Sequence, residues 1–379
     1  MLSFAARPGL HRPDMTYLGT PDFAHGSRGR VGILLVNLGT PADPSPQSVR
    51  KYLAEFLSDP RVIEAPRLLW WLVLHGVILR TRPKRSAHAY QKIWTPEGSP
   101  LLIESRRLTT GLADRLTQRF GDGVTVDLAM TYGEPSIRSV LERFRGQNVQ
   151  KLLVLPLYPQ YSSTTTGSIF EFVTRELSQW RWMPELRFVN QYWQRESYLA
   201  AVADSVATHW ETHGRKHLLF SFHSIPKRYF MGGDPYHCFC LGTARGVVQR
   251  LGLREGEWSV GFQSRFGREE WLKPYVDEML TQYAASGPKR VTVVCPGFAT
   301  DCLETLEEIS MQNRESFLEH GGEAFDYVPC LNSSKANVDV MEDVVLAHTG
   351  GWDDLLDARP GPAELAAVRE RALARGASR

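Results

Sequence analysis

The chain predicts an α/β protein of two similar lobes, each an open parallel sheet, with an active-site cleft between them. Three observations carry that reading. Short apolar runs of strand length alternate with helix-length amphipathic stretches along most of the 379 residues. Strands alternating with helices mean parallel strands joined by right-handed crossovers. The two halves also echo one another, which favours two small sheets over eight strands closed into one barrel. Finally, proline-ended turns follow the apolar runs at corresponding points of each half.

The strand-like runs of the first half are Val31–Asn37, Val124–Thr131, Lys151–Pro156 and Leu186–Asn190. Those of the second are Leu218–Phe222, Trp258–Gln263, Val291–Cys295 and Ala324–Val328. Amphipathic stretches at Leu101–Phe120, Ile137–Arg145, Glu196–His213, Thr243–Leu251 and Glu269–Tyr283 predict helices between them. The echo is direct. The run from Gly32 to Pro41 parallels His217 to Pro226, and Lys151 to Tyr158 parallels Arg290 to Phe298. Division follows as a leader over 1–29 without regular structure, lobes over 30–190 and 191–345, and a partly helical tail over 346–379.

Composition bounds the function. A hydrophobic content of 42% and a formal charge of +2 describe a globular chain with no basic arm, which argues against nucleic acid as a partner. Five cysteines, at 238, 240, 295, 302 and 330, form neither a disulfide framework nor a Cys-x-x-Cys pair, and a cytoplasmic setting fits them. Residues 1–29 lack a signal-peptide core. Leu68–Leu79 is the most apolar stretch but is too short to span a bilayer. It predicts either a buried helix, the default, or a lip meeting a greasy ligand or membrane surface. Phosphate-loop and dinucleotide glycine motifs are absent.

In open α/β sheets, ligands bind beyond the carboxyl ends of the strands, and the polar motifs lie there. Ser221–Pro226 places His223 at a strand end, where an imidazole can accept a proton near neutral pH or bind a transition metal. Gln160–Ser168 is a hydroxyl-rich turn opening a helix and suits an anion, although such residues also favour helix starts generally. Gly232–Cys240 reads better as a Gly-Asp-Pro turn capping a helix than as a zinc site. After Pro296-Gly297, the stretch Phe298–Ile309 predicts a helix with Asp301 as N-cap and Glu304 completing a capping box. At 3.6 residues per turn, Glu304, Glu308 and Gln312 align on one face, and Leu303, Leu306 and Phe317 on another. Such an acid row can relay protons or hold a metal. Taken singly, each of these features also fits a structural role.

Together the motifs resemble one family. Asn37–Pro41, Pro156–Ser162 with Thr165–Ser168, Ser221–Pro226, Gly233–Tyr236, Gln263–Gly267 with Trp271, and Asp301–Glu308 are similar, in order and spacing, to the ferrochelatases, particularly their bacterial branch. The resemblance implies a Rossmann-like, class II chelatase fold and insertion of ferrous iron into protoporphyrin IX to form protohaem. It implies His223 and Glu304 as opposed catalytic and metal-handling residues, with Glu308 next in the acid row. Tyr132, Ser99, Tyr161 and Trp271 match pocket-lining positions. Cys302 stands where animal relatives carry histidine. The tail holds no counterpart of the cysteines that bind an iron–sulfur cluster in some relatives, so no cluster and no cofactor beyond the substrate iron is expected. Arg80, Arg82 and Ser99 are candidates for the porphyrin's carboxylates. A coproporphyrin chelatase, an earlier tetrapyrrole chelatase or a non-enzymatic tetrapyrrole or metal carrier are the alternatives. The chain is expected as a monomer or homodimer.

Overall fold

A computed structural model describes residues 17–20, 23–267, 269–356 and 360–378. The first sheet comprises β1 (Arg30–Gly39), β2 (Val124–Tyr132), β3 (Val149–Pro156) and β4 (Glu185–Phe188), in the order β2-β1-β3-β4. The second comprises β5 (His217–His223), β6 (Trp258–Gln263), β7 (Arg290–Val294) and β8 (Ala324–Val328), in the order β6-β5-β7-β8. All neighbours are parallel, and the two orders are the same order repeated. Helices cover both faces of each sheet, which is why the strands read as near-continuous apolar runs.

The chain threads the first lobe through α1 (Pro46–Ser58), α2 (Arg67–Val73), α3 (Leu79–Ile93), α4 (Pro100–Phe120), α5 (Ile137–Gly146) and α6 (Ser168–Leu177). The second lobe adds α7 (Glu196–His213), α8 (Lys227–Met231), α9 (Tyr236–Leu251), α10 (Val276–Ser286), α11 (Arg314–Glu319) and α12 (Lys335–Thr349). Val31, Ile33 and Leu35 of β1 share one core with Leu218, Phe220 and Phe222 of β5, so the sheets are welded through a common apolar layer. Leu34 and Val36 point the other way, onto α5 and α6. A third cluster, built from α1, α3 and Tyr132, roofs the cleft and receives Leu303 and Leu306 from the second lobe.

Several local readings change. α9 begins at Tyr236 rather than Thr243, because Asp234 accepts the Tyr236 amide at 3.0 Å and starts the helix about two turns earlier. α10 begins at Val276 rather than Glu269. Pro274 has no amide to give a helix, and its carbonyl instead takes the Phe262 amide at 2.8 Å. The leader over 1–16 and 21–22 lies outside the described residues. Within 17–20, Leu18 exchanges backbone bonds with Gln179 and Arg181, and Asn148 anchors the carbonyls of Ser27 and Arg28. The stretch Leu68–Leu79 is buried only in part: Leu74, Ile78 and Leu79 pack into the third cluster, but the first half does not. α2 buries none of its residues, and Leu68, Leu69, Trp71, Leu72 and Val77 are all more than half exposed. Apolarity all round gave no clue that one side had no partner.

Candidate active site

The site forms where the carboxyl ends of the two sheets approach. Asn37, near the end of β1, donates to Ser105 at 3.0 Å and to Thr300 of the second lobe at 3.1 Å. From the turn after β3, Gln160 reaches Thr243 at 2.9 Å. The hydroxyl-rich turn that sequence suggested for a ligand anion is already satisfied by the chain. The Asp234 carboxylate accepts from Ser162 Oγ at 2.9 Å and from the Ser163 amide at 2.7 Å. The anion at that helix start is a side chain from the other lobe. His237 stacks on Phe262 and Cys240 is buried while Cys238 is exposed, so these three do not converge on a metal.

His223 ends β5 half-buried, with Nδ1 2.6 Å from the Ser224 carbonyl. A carbonyl only accepts, so Nδ1 carries a proton, and in the neutral ring the lone pair sits on Nε2. His223 is paired in register with Gln263 of β6, and Gln263 Nε2 donates to the Glu304 carbonyl at 2.9 Å. One glutamine thus ties the imidazole strand to the helix carrying the acids.

That helix differs from the one expected. Residues Glu304–Asn313 form a π-helix, bonded i→i+5, and the residue preceding it is Leu303. Asp301 is not its cap. The Asp301 carboxylate accepts from Thr305 Oγ1 at 2.9 Å, Tyr327 OH at 2.5 Å and Asn332 Nδ2 at 2.7 Å, and so clips the helix start to β8 and the loop beyond it. The wider turn also breaks the expected row. Gln312 donates to both oxygens of Glu307 at 2.8 Å and does not extend the line of Glu304 and Glu308. Leu303 and Leu306 go to the first-lobe cluster, whereas Phe317 packs under the second sheet.

Glu308 is held by the Ser264 amide at 2.8 Å and by the Ser264 hydroxyl. Ser264 sits at φ 66°, a left-handed conformation that aims both donors at one carboxylate. Burial raises the proton affinity of Glu308 above the ordinary carboxylate range. The Ser264 hydroxyl and His223 oppose the shift and Glu304 adds to it, so Glu308 lies in the field of both other candidate catalytic groups.

Around Glu304 stands a ring of buried tyrosines that sequence reasoning missed. Burial pushes the hydroxyls of Tyr52, Tyr90 and Tyr158 well up, and the Glu304 charge pushes them further. Tyr158 OH is buried without a hydrogen-bond partner. Its position in Pro156–Ser162 was the one available signal; Tyr52 and Tyr90 carried none. Cys302 is buried, and burial with the Glu304 charge keeps its thiol neutral.

The remaining candidates divide. Arg82 crosses the cleft, its guanidinium 4.6 Å over the Phe266 ring, and burial lowers its proton affinity while Glu304 opposes the shift. Trp271 braces the same loop through Nε1 to the Phe266 carbonyl at 2.7 Å. Tyr161 is half-buried in the turn after β3, beside Gly167. Tyr132 and Ser99 are buried and hydrogen-bonded within the first lobe. The Tyr132 hydroxyl donates to Asp59 at 2.7 Å, and buried Ser99 accepts from Thr40 at 2.9 Å. Arg80 is exposed, on the lip rather than across the cleft. Among the described residues, no group of three or more His, Cys, Asp or Glu side chains converges as a ligand cage.

The sequence profile described as ferrochelatase matches residues 30–349. The chain belongs to the ferrochelatase family. A ferrochelatase from Nitrosococcus oceani is 52% identical over 96% of this chain and 100% of its own length. Another, from Thioalkalivibrio sulfidiphilus, is 51% identical over the same shares. Among solved structures, SirB from Bacillus subtilis with Fe3+ superposes with a TM-score of 0.53 at 12% identity, covering 86% of this chain and 99% of that one. The sirohydrochlorin chelatase SirB from Bacillus subtilis subspecies spizizenii, in complex with cobalt, gives 0.51 at 11% identity, over 86% and 100%. At such identities the likeness concerns the fold alone. It places the repeated sheet order of this ferrochelatase family member among chelatase folds.

Proposed function

We propose that the chain inserts ferrous iron into protoporphyrin IX, releasing two protons, with His223 as the general base and Glu304 and Glu308 handling metal and protons. The observation that carries the reading is the fixed tautomer of His223. Its Nδ1–H is committed to a backbone carbonyl, which makes Nε2 the lone-pair nitrogen of the neutral ring, and the imidazole lies in the field of the Glu308 carboxylate.

The chemistry asks for this arrangement. A free-base porphyrin carries two inner N–H protons that block the hole. An apolar, aromatic slot can pucker the ring by shape, using binding energy from its remote parts. His223 Nε2 then takes a pyrrole proton. Imidazole and carboxylates are suitable transient ligands for hydrated ferrous iron, which is the substrate metal here. Glu308, whose proton affinity burial raises above that of an ordinary carboxylate, is suited to receive a proton and pass it outward. The product carries the metal in place of both protons, so charge balances.

The exposed apolar α2, followed by Arg80, Lys84 and Arg85, suits peripheral docking on an anionic bilayer from which a greasy substrate arrives. No helix among the described residues is long and apolar enough to cross a membrane.

The test is anaerobic mixing of purified protein with ferrous iron and protoporphyrin IX, followed by absorbance. His223→Ala should abolish turnover while porphyrin still binds, and Glu304→Gln should slow it more than Glu308→Gln. Normal turnover by the His223 variant would refute the assignment.

A further inference from the structure

One charged pair in the roof of the site is left unused by the proposed chemistry. Lys92, at the end of α3, places Nζ 2.8 Å from Glu307 Oε1. The Glu307 side chain is only 6% exposed, while that of Lys92 is 40% exposed. Gln312 donates to both Glu307 oxygens, which squares the carboxylate toward the lysine. Residues five apart lie about 140° apart around an α-helix. The i→i+5 bonding of the π-helix brings them over one another instead. The irregular helix therefore builds this clamp.

The clamp joins the two walls of the cleft. α3 carries Arg82 and Tyr90, whose proton affinities both respond to the Glu304 charge, and α3 continues from the exposed lip. The π-helix carries Glu304 and Glu308, and the second lobe already holds those two through Gln263 and Ser264. On the first-lobe side, Leu303 and Leu306 supply contact with the α1/α3 cluster but no direction. Apolar packing is non-directional, whereas a buried carboxylate bonded on both oxygens fixes position and angle. We propose that Lys92 and Glu307 are positioning residues, whose bond, squared by Gln312, sets the separation of α3 from the π-helix and so the reach of Glu304 across the macrocycle. This rests on the ferrochelatase reading above.

The test compares Lys92→Met, Lys92→Arg, Glu307→Gln and the Lys92→Met/Glu307→Gln pair. Lys92→Met should lower kcat about tenfold while KM for iron stays within about twofold. Lys92→Arg should keep at least half of the activity, and the double variant should be no slower than Lys92→Met. Amide hydrogen exchange, which needs no turnover, should speed up in both α3 and the π-helix of Lys92→Met. A kcat within twofold of the parent with unchanged exchange overturns the proposal, as does a lowered Tm with kcat intact. If Lys92→Met does not fold, the same outcomes are read from Glu307→Gln. Should the parent fail to metallate porphyrin, the functional reading falls, and the exchange data alone decide whether the clamp positions the two helices.

Discussion

Asp301→Ala isolates the clip that starts the π-helix, and its cost can be counted from the donors it abandons. The carboxylate is 6% exposed and accepts from Thr305, Tyr327 and Asn332, with a longer contact of 3.4 Å from the Cys330 amide. Thr305 Oγ1 has a second acceptor, the Cys302 carbonyl at 3.3 Å, so it is not stranded. Tyr327 OH and Asn332 Nδ2 lose their strongest acceptor. An orphaned buried donor costs about 1–3 kcal/mol. Tyr327 and Asn332 are half-buried, so the lower half of that range applies, about 1–2 kcal/mol each. The total is about 2–4 kcal/mol, a large share of the roughly 5–15 kcal/mol that holds a domain together. Asp301→Asn keeps one carbonyl for Tyr327 but opposes an amide donor to Asn332, so about half the loss is expected. Urea unfolding of the three proteins, with m unchanged, is the assay. A loss below about 1 kcal/mol for Asp301→Ala would show that water replaces the carboxylate and that the clip is not what anchors the helix.

Three shorter expectations follow from other parts of the site. Glu308 binds its proton more tightly folded than unfolded, so its ionisation costs stability as pH rises through the raised value. Glu308→Gln should therefore raise Tm at pH 8, with the gain shrinking as pH falls toward 4; a gain that grew on acidification would reverse the sign of the shift. Tyr158→Phe removes a buried hydroxyl that lacks a partner, and it should gain about 1 kcal/mol of stability while slowing metal insertion. Lower stability with an unchanged rate would mean that the hydroxyl is satisfied and idle. Replacing Leu68, Leu69 and Trp71 by Ser should weaken binding to anionic vesicles at least a hundredfold, given about 1.5–3 kcal/mol per large apolar side chain. Equal cosedimentation of parent and variant would exclude the lip as the docking face.

The sheets were legible because both faces of the inner strands β1, β3, β5 and β7 are covered, so each of these announced itself as an apolar run. Strand ends fell within two residues of those expected at most positions, and β6 and β8 matched in full. His223 was legible for the same reason: the site lies where the runs stop. What escaped depended on geometry that a 3.6-residue period cannot express. Gln312 was placed in line with Glu308 because an ordinary helix was assumed, and the π-helix moved it to Glu307. Ser264 holds Glu308 through a backbone conformation that serine seldom takes, and no neighbouring residue signalled it. The tyrosines around Glu304 come from three distant segments, so only the assembled fold unites them. The lip was misjudged because apolar composition says that a surface needs a partner without saying whether the chain supplies one.

The duplication explains which chemistry each half could acquire. Equivalent strands β3 and β7 are each followed by a π-helix, Ser163–Gly167 in the first half and Glu304–Asn313 in the second. Aligning the two halves on those strands sets Ser162 against Asp301, and aligning β1 on β5 sets Leu38 against His223. In the first half the helix start is closed by Asp234 arriving from the other lobe. In the second, Asp301 closes it from within the same segment, and Glu304 one turn later faces the cleft free of that duty. The second half separates the two tasks between Asp301 and Glu304, whereas the first needed a borrowed carboxylate merely to close its turn. The asymmetry of the site thus follows from where each lobe finds the acid that stabilises its irregular helix.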